Sequence, residues 1–112
     1  CTGALILGAA GILDGLSATT HWMFHDALKD FGAIPTLQRV VREGKVFTAA
    51  GVSSGIDMAL TLAAAEYGDD IAQEIQLIIE YDPEPPFNAG SPAKAPKHVI
   101  DSLQQKFAHL AP

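Results

Sequence analysis

From Ala4 to Leu13 the chain is apolar on every side, interrupted only by glycine at 8 and 11. An all-round apolar run of this length predicts a fully buried helix. Gly3, Gly8 and Gly11 stand where such a helix could press closely on a sheet, and Gly15 takes the C-cap position in Leu13-Asp14-Gly15-Leu16. Leu16 to His21 carries Ser17, Thr19 and Thr20 and predicts a short strand ending at His21. Trp22, Met23, Phe24, Ala27, Leu28 and Phe31 then follow at helical spacing up to Gly32. Arg39 to Arg42 and Lys45 to Ala49 flank Glu43-Gly44 and predict a hairpin.

The second half of the chain repeats the theme. Gly51-Val52-Ser53-Ser54-Gly55 reads as a small-residue loop opening a second apolar helix from Ile56 to about Glu66, with Ser54 and Asp57 at capping-box spacing. Gly68 breaks that helix, and Asp69 or Asp70 caps a third over about Ile71 to Tyr81. Pro83, Pro85, Pro86, Pro92 and Pro96 exclude regular structure over 82–96, an arm in which Phe87 is expected to anchor on a surface. Val99, Ile100, Leu103, Phe107 and Leu110 predict one amphipathic C-terminal helix over 97–110. Three short β segments cannot cover both faces of two fully apolar helices, so this pattern predicts a larger sheet than these residues supply.

Composition narrows the classes. The 112 residues carry a net charge of −6, which argues against a nucleic-acid surface. One cysteine excludes an internal disulfide and an all-thiolate zinc site and suits a reducing compartment, so the expected location is cytoplasmic. No apolar stretch has membrane-spanning length, and no membrane partner is expected.

The candidate chemistry centres on Cys1. A cysteine at the start of a helix sees unpaired N–H groups and the positive end of the helix dipole, both of which favour the thiolate. A small, inert cysteine is the commoner fate of a lone Cys. No Met precedes Cys1, so the chain is expected to be processed or to be the downstream half of something longer. A free N-terminal Cys also admits an N-terminal nucleophile using its own α-amine as base, although such chains open on a strand. His21 and His25 are four apart, but two ligands without an H-E-x-x-H glutamate do not make a zinc site, and no metal is expected. His98 and His109 read as solvated, and Asp57 as a helix cap rather than a buried catalytic carboxylate. The glycines around Val52 match neither G-x-G-x-x-G nor a P-loop. His21 is the one obvious base left to partner Cys1.

Cys1-Thr2-Gly3-Ala4, Gly8-Ala9-Ala10-Gly11 and Ala18-Thr19-Thr20-His21-Trp22 together resemble the ThiJ/PfpI superfamily, as does Gly51 to Asp57 followed by Ala59-Leu60. The stretch from Glu80 to Pro92 looks most like its isocyanide hydratase branch. The resemblance covers essentially the whole chain. It implies an α/β fold, the C-terminal half of a flavodoxin-like, class I glutamine-amidotransferase-like parallel-sheet sandwich with its nucleophile elbow at Cys1. The N-terminal half of the same domain would supply most of the sheet, an acidic residue and a glycine-rich loop. On this resemblance Cys1 matches the nucleophile, Thr2 the residue whose N–H points into the site, Val52 a backbone position near the sulfur, and His21 a pocket histidine. Thr2 stands where the peptidase-like branch has histidine, which removes the Cys-His dyad of proteolysis. The implied activity is hydration of an isocyanide to an N-formamide without metal or organic cofactor, in a homodimer to which Trp22 and the 83–92 arm contribute. The alternatives are a ligand-sensing domain of an AraC-type regulator, which would need a helix-turn-helix segment after Pro112, and a glyoxalase- or deglycase-like enzyme.

Overall fold

The computed structural model describes residues 1–110, Leu110 by its backbone only, so the apolar role expected of Leu110 lies outside the described residues. The chain divides into two compact units, Cys1–Tyr81 and the segment from Asp82 onward. The first is α/β. Its elements run α1 (Gly3–Ala9), β1 (Ser17–Ala18), a 3-10 helix (Trp22–Phe31), β2 (Ile34–Pro35), β3 (Val40–Glu43), β4 (Val46–Ala49), α2 (Val52–Tyr67) and α3 (Asp69–Ile78).

Helix α1 is shorter than its apolar run. It stops at Ala9 because Gly11 enters the left-handed region at φ +80°. The Ile12 N–H then donates to the Leu7 carbonyl and the Gly11 N–H to that of Gly8, the paired bonds of a Schellman ending. Gly11, and not Gly15, is therefore the stop. Nor is α1 buried on every side within this chain. Ala4 and Gly8 are buried, while Ile6 is 73% exposed. Gly8 faces Phe31 so closely that a Cβ there would lie 2.6 Å from its ring, so glycine sets the separation between α1 and the 3-10 helix.

Strand β1 is confined to Ser17–Ala18 and pairs in parallel with β2, a strand that hydrophobic patterning does not reveal. Its two bonds, Ile34 N–H to Leu16 O and Thr36 N–H to Ala18 O, flank Pro35, so the missing proline N–H is not needed on that side. β3 and β4 form the expected antiparallel hairpin, with Glu43 opposite Val46 and the turn at Gly44-Lys45. Side chains tie β1 to it: Ser17 N–H donates to Glu43 Oε1 at 3.1 Å, and Thr19 N–H to Thr48 Oγ1 at 3.0 Å. The core is Ala4, Leu13, Ala18, Leu28 and Ala33, with Leu5, Leu7 and Val46 packed against it.

The segment Trp22–Phe31 is a 3-10 helix, so its helical spacing is realised in a tighter coil than an α-helix. Gly51–Gly55 is no loop. Gly51 is the N-cap of α2, and the carbonyl of Gly51 accepts from both Ser54 and Gly55. The expected capping box fails for that reason: Ser54 is buried inside the helix, and Asp57 bonds to other elements. Asp69 and Asp70 make no side-chain cap either. They occupy the first turn of α3, where they meet the positive end of its dipole, and Gly68 at φ +92° joins the two helices. α3 ends at Ile78, short of Tyr81.

In the second unit, 82–96 holds neither helix nor strand. α4 runs Lys97–Lys106 and then gives way at Phe107 to a 3-10 turn over Ala108–Leu110, so the single helix expected over 97–110 is broken. Phe87 is 79% exposed. His98 and His109 are exposed.

Candidate active site

Three chain ends meet around His21: the start of α1 at Cys1-Thr2, the end of β1 at Thr19-Thr20-His21, and the start of α2 at Gly51-Val52. Cys1 is exposed and free. Its carbonyl accepts from the Thr20 hydroxyl at 2.8 Å and from the His21 N–H at 2.8 Å. Thr20 is buried, so the second residue after β1 holds the cysteine backbone from inside the fold. Thr2 is the N-cap of α1 by position, but its side chain makes no capping bond. Its carbonyl accepts from Leu5 N–H at 3.0 Å.

The His21 ring is placed by three contacts. Its Nδ1 accepts from the Met23 N–H at 3.2 Å, which caps the 3-10 helix. Trp22 stacks on it at 5.8 Å between centroids, and Phe24 tilts against it at 6.3 Å. Burial pushes its pKa below the ordinary histidine value. An accepting Nδ1 and a lowered pKa together describe a neutral ring with its proton on Nε2. Gly51 lies against the other side, where a Cβ would sit 3.8 Å from His21 Cδ2. Val52, next in sequence, is 77% exposed.

The structure thus brings Cys1, Thr2 and His21 together directly, and Val52 to the same neighbourhood through Gly51. It does not make His21 and His25 a pair. His25 Nε2 lies 3.2 Å from the Thr36 carbonyl and 3.4 Å from Thr19 Oγ1, bridging β1 to the residue after β2. Among the described residues no cluster of His, Cys, Asp and Glu could hold a metal ion, and no helix is long and apolar enough to cross a membrane.

Sequence reasoning missed Thr20, because a hydroxyl bonding to a backbone carbonyl leaves no spacing signature. It also missed the group that fixes the start of α2. Asp57 is neither cap nor buried acid. It accepts from Arg39 Nε at 2.8 Å and from Tyr81 OH at 2.5 Å, while Arg39 Nη2 reaches Ser53 Oγ at 3.3 Å. The cluster ties the residue before β3, the first turns of α2 and the end of the unit together. Burial tends to raise the Asp57 pKa, but the bonds from Tyr81 and Arg39 and the Arg39 charge hold it below the usual carboxylate value. Hydrogen bonding to Asp57 raises the Tyr81 phenol.

A lowered folded-state pKa means that the stabilising contribution of Asp57 is present above its unfolded pKa and lost as pH falls through the folded value. The Arg39 and Asp57 side chains are 55% and 33% exposed, so the ion pair contributes only about 1 kcal/mol or less. Asp57→Asn is therefore expected to lower stability by about 1 kcal/mol at pH 7 and by progressively less towards pH 3. Urea denaturation at several pH values checks this, and a loss that stays constant down to pH 3 would contradict it.

This arrangement, an exposed cysteine directly ahead of a short helix in an α/β unit, belongs to a known class. Residues 1–65 match the DJ-1/PfpI family. The chain belongs to that family. It is 55% identical over 108 residues to an isonitrile hydratase of Pseudomonas putida, an alignment covering 96% of this chain and 47% of that protein. The crystal structure of a THiJ/PfpI family protein from Pseudomonas syringae superimposes with a TM-score of 0.93 at 50% identity, covering 97% of this chain and 45% of the other. A more distant relative, the HTH-type transcriptional regulator CdhR of Pseudomonas aeruginosa, is 34% identical over 76 residues, which cover 66% of this chain and 23% of the regulator. The chain spans about half the length of the isonitrile hydratase and of the solved structure.

Proposed function

We propose that this chain carries the nucleophile of a cysteine-dependent isocyanide hydratase. The observation that carries the reading is the identity of 55% to an isonitrile hydratase across 96% of a chain that carries an exposed Cys1. In this reading Cys1 sits at the nucleophile elbow, and an N-terminal part of the same domain completes the site with an acid and further donors. The exposed apolar side chains Ile6 and Ile12, on α1 and just beyond it, support such a covering part.

The terminal carbon of R–N≡C is small and electrophilic. The Cys1 thiolate adds to it, and a proton delivered to that carbon gives the thioimidate R–N=CH–S. Water adds across C=N, its oxygen to the carbon and one of its protons to the nitrogen, and the tetrahedral intermediate expels the thiolate as its hydroxyl returns a proton to the base left by the first proton delivery, leaving R–NH–CHO. The Thr2 and Val52 backbone donors stabilise the charged sulfur as it adds and leaves. His21, neutral and engaged through Nδ1, positions and packs. The enzyme acts as a homodimer, with no metal or organic cofactor, in the cytoplasm.

The test is to incubate the protein carrying the whole domain with an alkyl isocyanide and follow the N-formamide by mass spectrometry. Formamide formation above the uncatalysed rate is expected, and its absence would overturn the reading. His21→Ala is expected to retain measurable turnover, lowered by about tenfold or less, as the loss of a positioning group requires. An inactive but folded His21→Ala would make His21 a proton-transfer residue instead.

The likeness to CdhR favours a second reading, a ligand-sensing domain of a transcription regulator. In that case an isocyanide or a related small molecule would bind without turnover, and isothermal titration beside the formamide assay separates the two.

A further inference from the structure

We infer that Thr20 is a positioning residue for Cys1, acting through the Cys1–Thr2 peptide. This inference rests on the reading of Cys1 as nucleophile. Thr20 is 1% exposed, and its hydroxyl donates to the Cys1 carbonyl at 2.8 Å. That carbonyl already has a donor, the His21 N–H at 2.8 Å. Either bond alone would satisfy the oxygen. The second bond therefore adds direction rather than satisfaction: two donors from adjacent residues of a buried segment fix the orientation of the peptide plane.

The consequence falls on the far side of that plane. A peptide is planar and here trans, so its N–H points opposite to its C=O. Pinning the Cys1 carbonyl towards the segment after β1 aims the Thr2 N–H away from that segment. Among the described residues the Thr2 N–H has no backbone acceptor. With one donor removed the plane can rock about the remaining bond, and the cysteine Cα–Cβ direction and the Thr2 N–H rock with it. A misplacement of this kind penalises the chemical step more than binding.

Thr20→Val keeps the buried volume and removes the donor, while Thr20→Ser keeps the donor. Thr48→Val is the comparison, since Thr48 is also buried and its hydroxyl accepts from Thr19 N–H, one residue away from Thr20, without touching Cys1. In the whole-domain protein, Thr20→Val is expected to lower kcat by about tenfold with KM changed by less than about twofold. It should also move the pH profile of Cys1 alkylation by iodoacetamide upward. Thr20→Ser should restore both, and Thr48→Val should leave both unchanged. Should Thr20→Val fail to fold, Thr20→Ala carries the same expectation. An unchanged alkylation profile and kcat in a folded Thr20→Val or Thr20→Ala, or an equal loss in Thr48→Val, would overturn the inference. If the unsubstituted protein turns over no isocyanide, the proposed function falls, and the alkylation profile still decides the role of Thr20.

Discussion

Cys1→Ser is expected to abolish isocyanide hydration, by at least about a thousandfold, while leaving the fold intact. The size of the loss follows from what surrounds the residue. A serine hydroxyl needs a base to become a nucleophile, and the histidine beside this cysteine is not free to act as one. His21 is committed through Nδ1 to the Met23 N–H, and the residue after the cysteine is Thr2. A thiol ionises far more readily than a hydroxyl and reacts as the thiolate without a dedicated partner. The fold should not notice the change, because Cys1 is exposed and its contacts to the rest of the chain run through its carbonyl. The measurement is formamide production together with circular dichroism of the variant. A folded Cys1→Ser protein with unimpaired hydration would remove the covalent mechanism and leave a ligand-sensing role in front.

Leu28→Ala is expected to destabilise the protein by about 3 kcal/mol, the middle of the range for emptying a buried leucine site. Leu28 is fully buried, and its core neighbours include Ala4, Ala18 and Ala33. Alanines cannot reach into the space a leucine leaves, so the cavity stays largely open and the low end of the range does not apply. The effect should reach the site as well, because Ala18 lies two residues before Thr20 on the segment that holds the Cys1 carbonyl. Urea denaturation of the whole-domain protein checks the first expectation. A loss below about 1 kcal/mol would show that the core closes around the cavity.

How much could be read before the fold was known differs from residue to residue. The β3–β4 hairpin was legible because Gly44 sits between two short valine-containing runs, and turn chemistry is local. The early stop of α1 was not legible, because the apolar pattern runs on through Gly11 to Leu13, and the Schellman bonds to Leu7 and Gly8 decided against the pattern. β2 was not legible at all. It is two residues long, contains Pro35, and exists only because β1 lies beside it to accept its bonds. Ser54 and Asp57 had the spacing of a capping box, yet α2 begins at Val52, because Gly51 gives the helix its first turn beside His21 and Arg39 and Tyr81 claim Asp57 from outside the helix.

The sequence by itself determined the class of this protein. A lone cysteine ahead of a glycine-spaced apolar run, a strand ending at His21 and a second small-residue helix start are local patterns, and they resemble the motifs of a family that the chain belongs to. Only the tertiary structure decided what holds that cysteine. The Cys1 carbonyl meets a buried hydroxyl nineteen positions away, and the start of α2 meets the ring of His21, because the segment after β1 returns to the start of α1. Such contacts depend on where two distant backbones come to lie, and a hydrogen bond between a side chain and a main-chain carbonyl requires no particular residue at the accepting end, so no pattern along the chain announces it.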